Sequence, residues 1–519
     1  MASSTSYHEW IKELIGSGYS NLKFLDERVM QKPDHGDATC TILRFSENGV
    51  LESSGLVSDA DFDKSTVGKS KRLFILEGIT QTYVEKLGSM LDIEPEFFAG
   101  HLRSVTWEHY DDRSDAVMLP SVRKQTKFWT LEYFECVRLD GKFRLGRTRL
   151  LPFMPIFRRL FIRNPYMDQK EKYSVGLASR LISFWEQSSS NGNFDAVLLV
   201  DTPFKAKLNF EYDDVKSLQP MSTTWMPYGG GFIDFTNIDH RRAFVQHSPQ
   251  YPESRNGSVK EALLWRLKHP DIFRSAQGRP AGIVLQRLVL SQWALTLAFL
   301  RRDFNSIHIR SLSGENVTLS QVKSTLVDLE SCRALLDRCL HLVRKSLSQL
   351  DIATVDDSPR APSAANGMTD AELLQIDWRF IWQECQHWMN ETERMLNLRL
   401  TNLSVLDSKR SRDDSERAWA DSQRSARLSE SSNQITKLGQ ILLLFFTPAA
   451  LAYGLLSMGG EFAPGKKQFW IFFAIAVPLS MVTFSLFYLW VYWSNRRMKR
   501  SLDRGYQEWE RPDAMKEEA

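Results

Sequence analysis

Two stretches near the C-terminus carry no charged residue: 23 residues at 438–460, LGQILLLFFTPAALAYGLLSMGG, and 26 at 469–494, FWIFFAIAVPLSMVTFSLFYLWVYWS. As helices they reach roughly 35 and 39 Å, enough to cross a hydrocarbon core of about 30 Å. Uncharged runs of this length rarely sit in soluble cores, so both read as transmembrane helices. Pro448 and Pro478 do not object, because membrane helices tolerate proline. A third apolar run, 288–300, is only 13 residues and is flanked by Arg287, Arg301 and Arg302. It is too short to span and reads as a buried soluble helix.

Flanking charge sets the expected orientation. Arg417, Arg424, Arg427 and Lys437 precede the first span, and Arg496, Arg497, Lys499, Arg500 and Arg504 follow the second. The basic residues of the connecting loop are Lys466 and Lys467 alone, so both termini are expected on the cytosolic side. Trp470 at one end and Trp490, Tyr492 and Trp493 at the other suit interfacial belts. The first residues, MASSTSYHEW, have no basic segment followed by an apolar one, so no secretory signal is expected. The first 20 residues hold no Arg and carry Glu9 and Glu13, unlike a mitochondrial presequence. A multi-pass protein of a plasma or vacuolar-type membrane is the expectation.

Most of the chain is nonetheless water-facing text. A mean hydropathy of −0.32 with 25% charged residues excludes a polytopic bundle and a disordered chain. Lys and Arg number 66 against 63 Asp and Glu, a net +3 that gives no footing for a nucleic-acid partner. Cys40, Cys136, Cys332, Cys339 and Cys385 lack metal spacing and read as reduced thiols.

Up to about residue 275 the pattern predicts an α/β cytosolic domain. RLFILEGI (72–79), FWTLEYFECVRL (128–139), RTRLLPFMPI (147–156) and DAVLLVDTPF (195–204) read as strands. A helix pair is expected between the first two, with Thr80 as N-cap and Pro95 opening the second helix. SVGLASRLISFWEQ (174–187) carries apolar residues at helical spacing and is expected to be a helix. Residues 276–437 read as a helical stalk, with one helix from Gly282, another over 318–350 and a mobile connector at 351–367. From 368 to 438 there are 71 residues without Gly or Pro, a helix on the order of 100 Å that runs into the first span. The two spans occupy 438–494, and 495–519 is a basic cytosolic tail.

No P-loop, HExxH, GxSxG or CxxC pattern is present, so no enzyme is expected. His240 and His247 in HRRAFVQH lack a ligand frame and read as surface histidines, and metal ligands stay unassigned. Cys332 and Cys339 share a helical face as packing residues, and GGGF (229–232) reads as a turn. Asn433, Thr436, Gln440, Thr447, Gly454 and Ser457 are different: they form one polar stripe along the first span. Such a stripe is either a helix–helix contact or a pore wall. One two-span subunit cannot enclose water, so transport would demand a ring of copies.

This order of parts resembles the CorA family, the two-TM-GxN divalent-cation transporters. SSNQITKLGQILLLFFTPAALAYGLLSMG is similar to that family's first span. RLFILEGITQTYVEKLGSMLDIEPEFFAGHL and LPSVRKQTKFWTLEYFE resemble its eukaryotic branch. The resemblance implies a homopentamer in the lipid bilayer, a pore lined by the stripe, and Mg2+ or Zn2+ as transported or regulatory ion without a prosthetic group. The family's Gly-Met-Asn mouth is replaced here by Ser457-Met458-Gly459, with Glu461 where family loops place a cation-gathering acid. The replaced Asn admits a second reading: a non-conducting, membrane-anchored relative whose cytosolic domain senses or binds partners.

Overall fold

The computed structural model describes residues 6–32, 38–102, 121, 124–141, 143, 149–153, 156–163, 173–205, 207–212, 221–232, 258–268, 280–312, 319–353, 369–457 and 465–509. They fall into two compact units, Met1–Ser404 and Val405–Ala519.

The first unit is built on a ten-stranded sheet. Its strands are β1 (Thr39–Phe45), β2 (Leu51–Leu56), β3 (Lys71–Glu77), β4 (Phe128–Asp140), β5 (Arg149–Phe153), β6 (Ile156–Arg163), β7 (Tyr173–Ser188), β8 (Phe194–Val200), β9 (Lys207–Tyr212) and β10 (Met221–Pro227). Spatial order is β2-β1-β3-β8-β7-β4-β10-β9-β5-β6, with β6 also pairing β7. That extra pairing closes β7-β4-β10-β9-β5-β6 into a six-membered ring of strands. The open half, β2-β1-β3-β8-β7-β4, shares β4 and β7 with the ring. Among the described strands, β3 and β8 alone pair in parallel.

Alternation along each open-half strand sorts side chains to two faces. Phe74, Leu76, Val197, Leu199 and Trp185 join a core with α1 (Tyr7–Gly16), α2 (Gln81–Leu91) and α3 (Pro95–Leu102). Leu73, Ile75, Leu131, Tyr133, Phe184 and Leu198 face the other way. There they meet α4 (Val259–Lys268), α5 (Pro280–Leu312), α6 (Leu319–Gln349) and the start of α7 (Asp370–Leu456). The ring has its own interior, filled by Val137, Leu139, Leu151, Leu160, Ile162, Ala178 and Leu208. Gly176 of β7 belongs to that interior. A Cβ there would lie 2.9 Å from the Leu160 side chain and 3.1 Å from those of Leu139 and Val137, so any larger residue would have to push these side-chain ends aside.

Most elements lie where the sequence puts them. A strand runs through part of each of the four expected segments, the third holding β5 and the first residue of β6, and Pro95 opens α3. Residues 288–300 sit inside α5; although α5 is apolar enough to cross a membrane, 67% of its most apolar window is buried in this unit. All five cysteines are free and buried. Tyr228–Gly230 forms a tight turn, with Gly229 and Gly231 at positive φ. Thr80 has the extended backbone of an N-cap, but its hydroxyl makes no cap bond. His240 and His247, and most of the connector at 351–367, lie outside the described residues.

The segment at 174–187 is a correction: it is strand β7, not a helix. Ser174 through Trp185 are all buried, and the strand holds thirteen residues in antiparallel register with β4. A strand covered on both faces is apolar almost throughout, and such a run fits helical spacing as well as it fits a strand.

Charged residues set inside these strands pair with one another. Arg158 of β6 donates through Nε and Nη2 to Asp201, at 2.8 Å in the shortest contact, and gives Nη2 to the His101 carbonyl at 3.0 Å. Asp201 also accepts the Leu181 amide at 2.9 Å. Arg180 donates to Glu135 at 2.7 Å. Glu132 accepts from Ser179 at 3.0 Å and from Arg338 at 3.1 Å, with Lys345 at 3.7 Å, which fastens α6 to β4. Burial pushes the Glu132 carboxyl up, but Lys345, Arg338 and Arg158 outweigh it and hold it below its ordinary value. Glu135 is raised, because burial exceeds what Arg180 restores.

His101, in the last turn of α3, lies inside this network, 1% exposed, with Nδ1 3.0 Å from the Ser183 hydroxyl. Burial, helped by Arg158 and opposed by Asp201, lowers it from 6.5 to about 3. Between those values the unfolded chain takes up a proton that the folded chain refuses, so stability is lost as pH falls. From pH 6.5 to 4 the loss from this group should reach about 3 kcal/mol. Thermal unfolding of the full chain should shift down over that interval, and His101→Gln should flatten the slope. A slope unchanged by the substitution rules out His101 as its source.

Candidate pore-lining face

The second unit consists of α7 from Val405 onward and α8 (Trp470–Trp509). Both helices are long and apolar enough to cross a membrane, and their most apolar windows are 12% and 6% buried. Leu438, Leu442, Leu443, Phe446 and Leu451 of α7 are exposed, as are Phe473, Val477, Met481, Leu486 and Trp490 of α8. Apolar surface on that scale requires lipid or protein against it.

The polar stripe lies on α7. Helical geometry puts Asn433, Thr436, Gln440, Thr447 and Gly454 within about 60° of azimuth, and Ser457 about 60° further round. All six are exposed, and a Cβ built at Gly454 meets nothing within 4 Å. Ser457 stands one residue past α7, yet its amide still reaches the Tyr453 carbonyl at 2.8 Å. Met458, Gly459 and Glu461 lie outside the described residues.

The hydroxyls of the stripe share one arrangement. Thr436 donates to the Ser432 carbonyl at 2.9 Å, Thr447 to the Leu443 carbonyl, and Ser457 to the Gly454 carbonyl at 3.1 Å. A hydroxyl has one proton and two lone pairs. With the proton committed to the helix, each oxygen offers only acceptor capacity to whatever faces it. The carboxamides of Asn433 and Gln440 add an acceptor oxygen each, and Gly454 bares the backbone. Pro448, inside α7, has no N–H to give the Leu444 carbonyl. The face is thus rich in oxygen acceptors and free of charge, a surface suited to a cation that keeps its water shell.

The charged network of the first unit escaped the sequence reading. Its signal was present: Glu132, Glu135, Arg158, Arg180 and Asp201 each interrupt or border an apolar strand. Among the described residues no cluster of three or more His, Cys, Asp or Glu is arranged to hold a metal ion.

No family model matches the sequence, and no curated protein matches it. Among solved structures, the complete structure of the CorA magnesium transporter from Methanocaldococcus jannaschii aligns over 86% of this chain and 97% of that chain, at 9% identity and a TM-score of 0.32. A likeness so faint sets no residue of one chain opposite a residue of the other.

Whether the stripe meets water is testable by thiol chemistry. Burial raises the native thiols, Cys40, Cys136, Cys332 and Cys385 to about 12 and Cys339 well above its ordinary value, so the folded wild type should label slowly. In membranes, Gln440→Cys and Thr447→Cys should react with a small water-soluble thiol reagent, and Leu442→Cys, on the opposite side of α7, should not. The reverse ranking would show that the stripe is a dry helix contact.

Proposed function

We propose that this protein passes divalent cations across a membrane through a ring of copies whose α7 stripes face the axis. The observation that carries the reading is the stripe itself: three hydroxyls with their protons turned inward on an uncharged, exposed, membrane-length face. The sequence resemblance to the CorA family supports it independently. A ring of five follows that resemblance; a lone two-span subunit has no enclosed path, and a polar stripe facing lipid is unfavourable. Both termini are cytosolic in this reading, in a plasma or vacuolar-type membrane. The ion is cargo and regulator rather than prosthetic group, and no bond is made or broken. Membrane potential supplies the drive, about 2.3 kcal/mol per charge per 100 mV and twice that for a dication.

At the mouth, Gly459 offers only a carbonyl where the family has an amide side chain. Mg2+ sheds water reluctantly, so it is held through outer-shell hydrogen bonds, each worth about 1 kcal/mol. Selectivity is therefore weakened, and a ring of Glu461 carboxylates supplies much of the remaining attraction. The same missing side chain favours a second reading, in which the membrane part is an anchor and the cytosolic domain is a sensing or interaction module.

Flux of Mg2+, Zn2+ and Ni2+ into vesicles holding the purified chain separates the two. Transport predicts potential-driven entry of at least one dication, lowered for all of them by Glu461→Gln and made more Mg2+-selective by Gly459→Asn. Correctly inserted protein with no flux supports the anchor. Mass in mild detergent should correspond to five copies; a clean monomer removes the aqueous path. A cysteine at Ala463 should label from outside, and labelling only after permeabilisation overturns the orientation.

A further inference from the structure

From Asp407 to Gln434 every residue of α7 is exposed, and the stretch is dense in charge. Its large apolar side chains are Trp419 and Leu428, 66% and 70% exposed. Helical geometry sorts the rest. At about 100° per residue, Ser411, Ser415, Ala418, Ser422 and Ser429 fall in the same arc of about 60° as the polar stripe, and no charge falls there. Within about 60° of one edge of that arc come Asp407, Asp414 and Asp421, with no base among them. Over an equal width beyond the other edge come Arg412, Trp419, Glu430 and Lys437. One flank is therefore acidic, and the other carries two bases, one acid and the tryptophan. Asp414 meets Arg410 and Arg417 at 3.9 Å and Asp421 meets Arg424 at 3.8 Å within the helix, long and exposed pairs that hold these carboxylates weakly.

Flank charge distinguishes the ways in which a second copy can lie alongside. In an antiparallel pair like flanks meet, and the aspartate rows would oppose each other. In parallel copies opposite flanks meet, as e and g positions do in a parallel coiled coil. With two parallel copies at one height, Asp414 lies about 3 Å of rise from Arg412 of the next copy, and Asp407 about 7 Å from it. Trp419 then stands level with Ala418 of that copy, whose Asp414 and Asp421 border the same flank. The small side chain leaves an opening for the indole, and the carboxylates are acceptors for its N–H. We infer that Trp419 seats against Ala418 of a neighbouring parallel copy of this chain and anchors the copies to one another along α7. The contact is heterologous: each copy gives its tryptophan to one neighbour and receives another on its acidic flank, which closes rings rather than pairs. This rests on the ring of copies proposed above and is independent of whether ions pass.

The test uses the full-length chain, first in membranes and then in mild detergent. A double variant, Ala418→Cys with Trp419→Cys, oxidised in the membrane by a mild copper oxidant, should give a ladder of covalent multimers on a denaturing, non-reducing gel. Adjacent helical positions point about 100° apart, so the two cysteines of one chain cannot bridge. Wild type and each single variant should give no ladder. A covalent dimer from Trp419→Cys alone would mean that like flanks meet, and overturns the parallel contact. In detergent, Trp419→Ala should raise the protein concentration at which the multimer dissociates by about tenfold or more, and Trp419→Phe by less. Changing Asp407, Asp414 and Asp421 together to Asn should weaken assembly more at low salt than at high salt. A dissociation concentration unmoved by Trp419→Ala overturns this contact alone, as does a double variant without a ladder where wild type is multimeric. Wild type that is a monomer in mild detergent overturns the ring and this contact together.

Discussion

Thirteen consecutive residue pairs between β4 and β7 hold the first unit together. One end of that ladder serves the open sheet, where β7 passes its free side to β8; the other end serves the ring, where β6 and β10 take over. The helices α5 and α6 lie against β4. A register slip of one residue would turn every core side chain of the pair to the wrong face. It would also separate Glu132 from Ser179 and Glu135 from Arg180, contacts made across this ladder.

Those polar contacts act differently from the apolar core. Taking Arg158, Asp201, Arg180 and Glu135 out of water costs several kcal/mol per ion, and their mutual attraction roughly offsets it. Their value is selectivity among arrangements. An apolar strand gains nearly as much from a shifted pairing as from the right one, whereas a buried guanidinium left without its carboxylate is heavily penalised. Arg158 ties β6 to the chain just after β8 and, through the His101 carbonyl, to the end of α3. One side chain thereby checks three separate parts of the chain.

What could be read from the sequence follows from the range of the interactions concerned. The stripe on α7 was legible because helical periodicity is local: offsets of three, four and seven define a face whatever surrounds it. The direction of its hydroxyl protons is local too, although only coordinates display it. Strands β3, β4 and β8 were legible from aromatic and β-branched runs between turn signals. β7 was not, since burial on both faces erased the alternation that distinguishes strand from helix. Ring closure was beyond reach, because β6 meets β7 through residues whose composition would serve equally in an open sheet. The partners of Glu132 were hidden by distance along the chain: Arg338 lies 206 residues away.

Closure also settles how the sheet meets other molecules. An open ten-stranded sheet would present two bare edges, each with unpaired amides and carbonyls able to recruit a strand from another chain. Here β6 folds back onto β7, so among the described strands the unpaired sides that remain are the outer side of β2 and the part of β4 that precedes its short pairing with β10 at Val137–Leu139. Of the two, β2 is short, LESSGL, and follows a register irregularity between Arg44 and Phe45 of its neighbour, which works against flat stacking. Closure therefore removes the β6 edge, and the terminal strand that is left, β2, is short and irregular, a poor template for a strand of another chain.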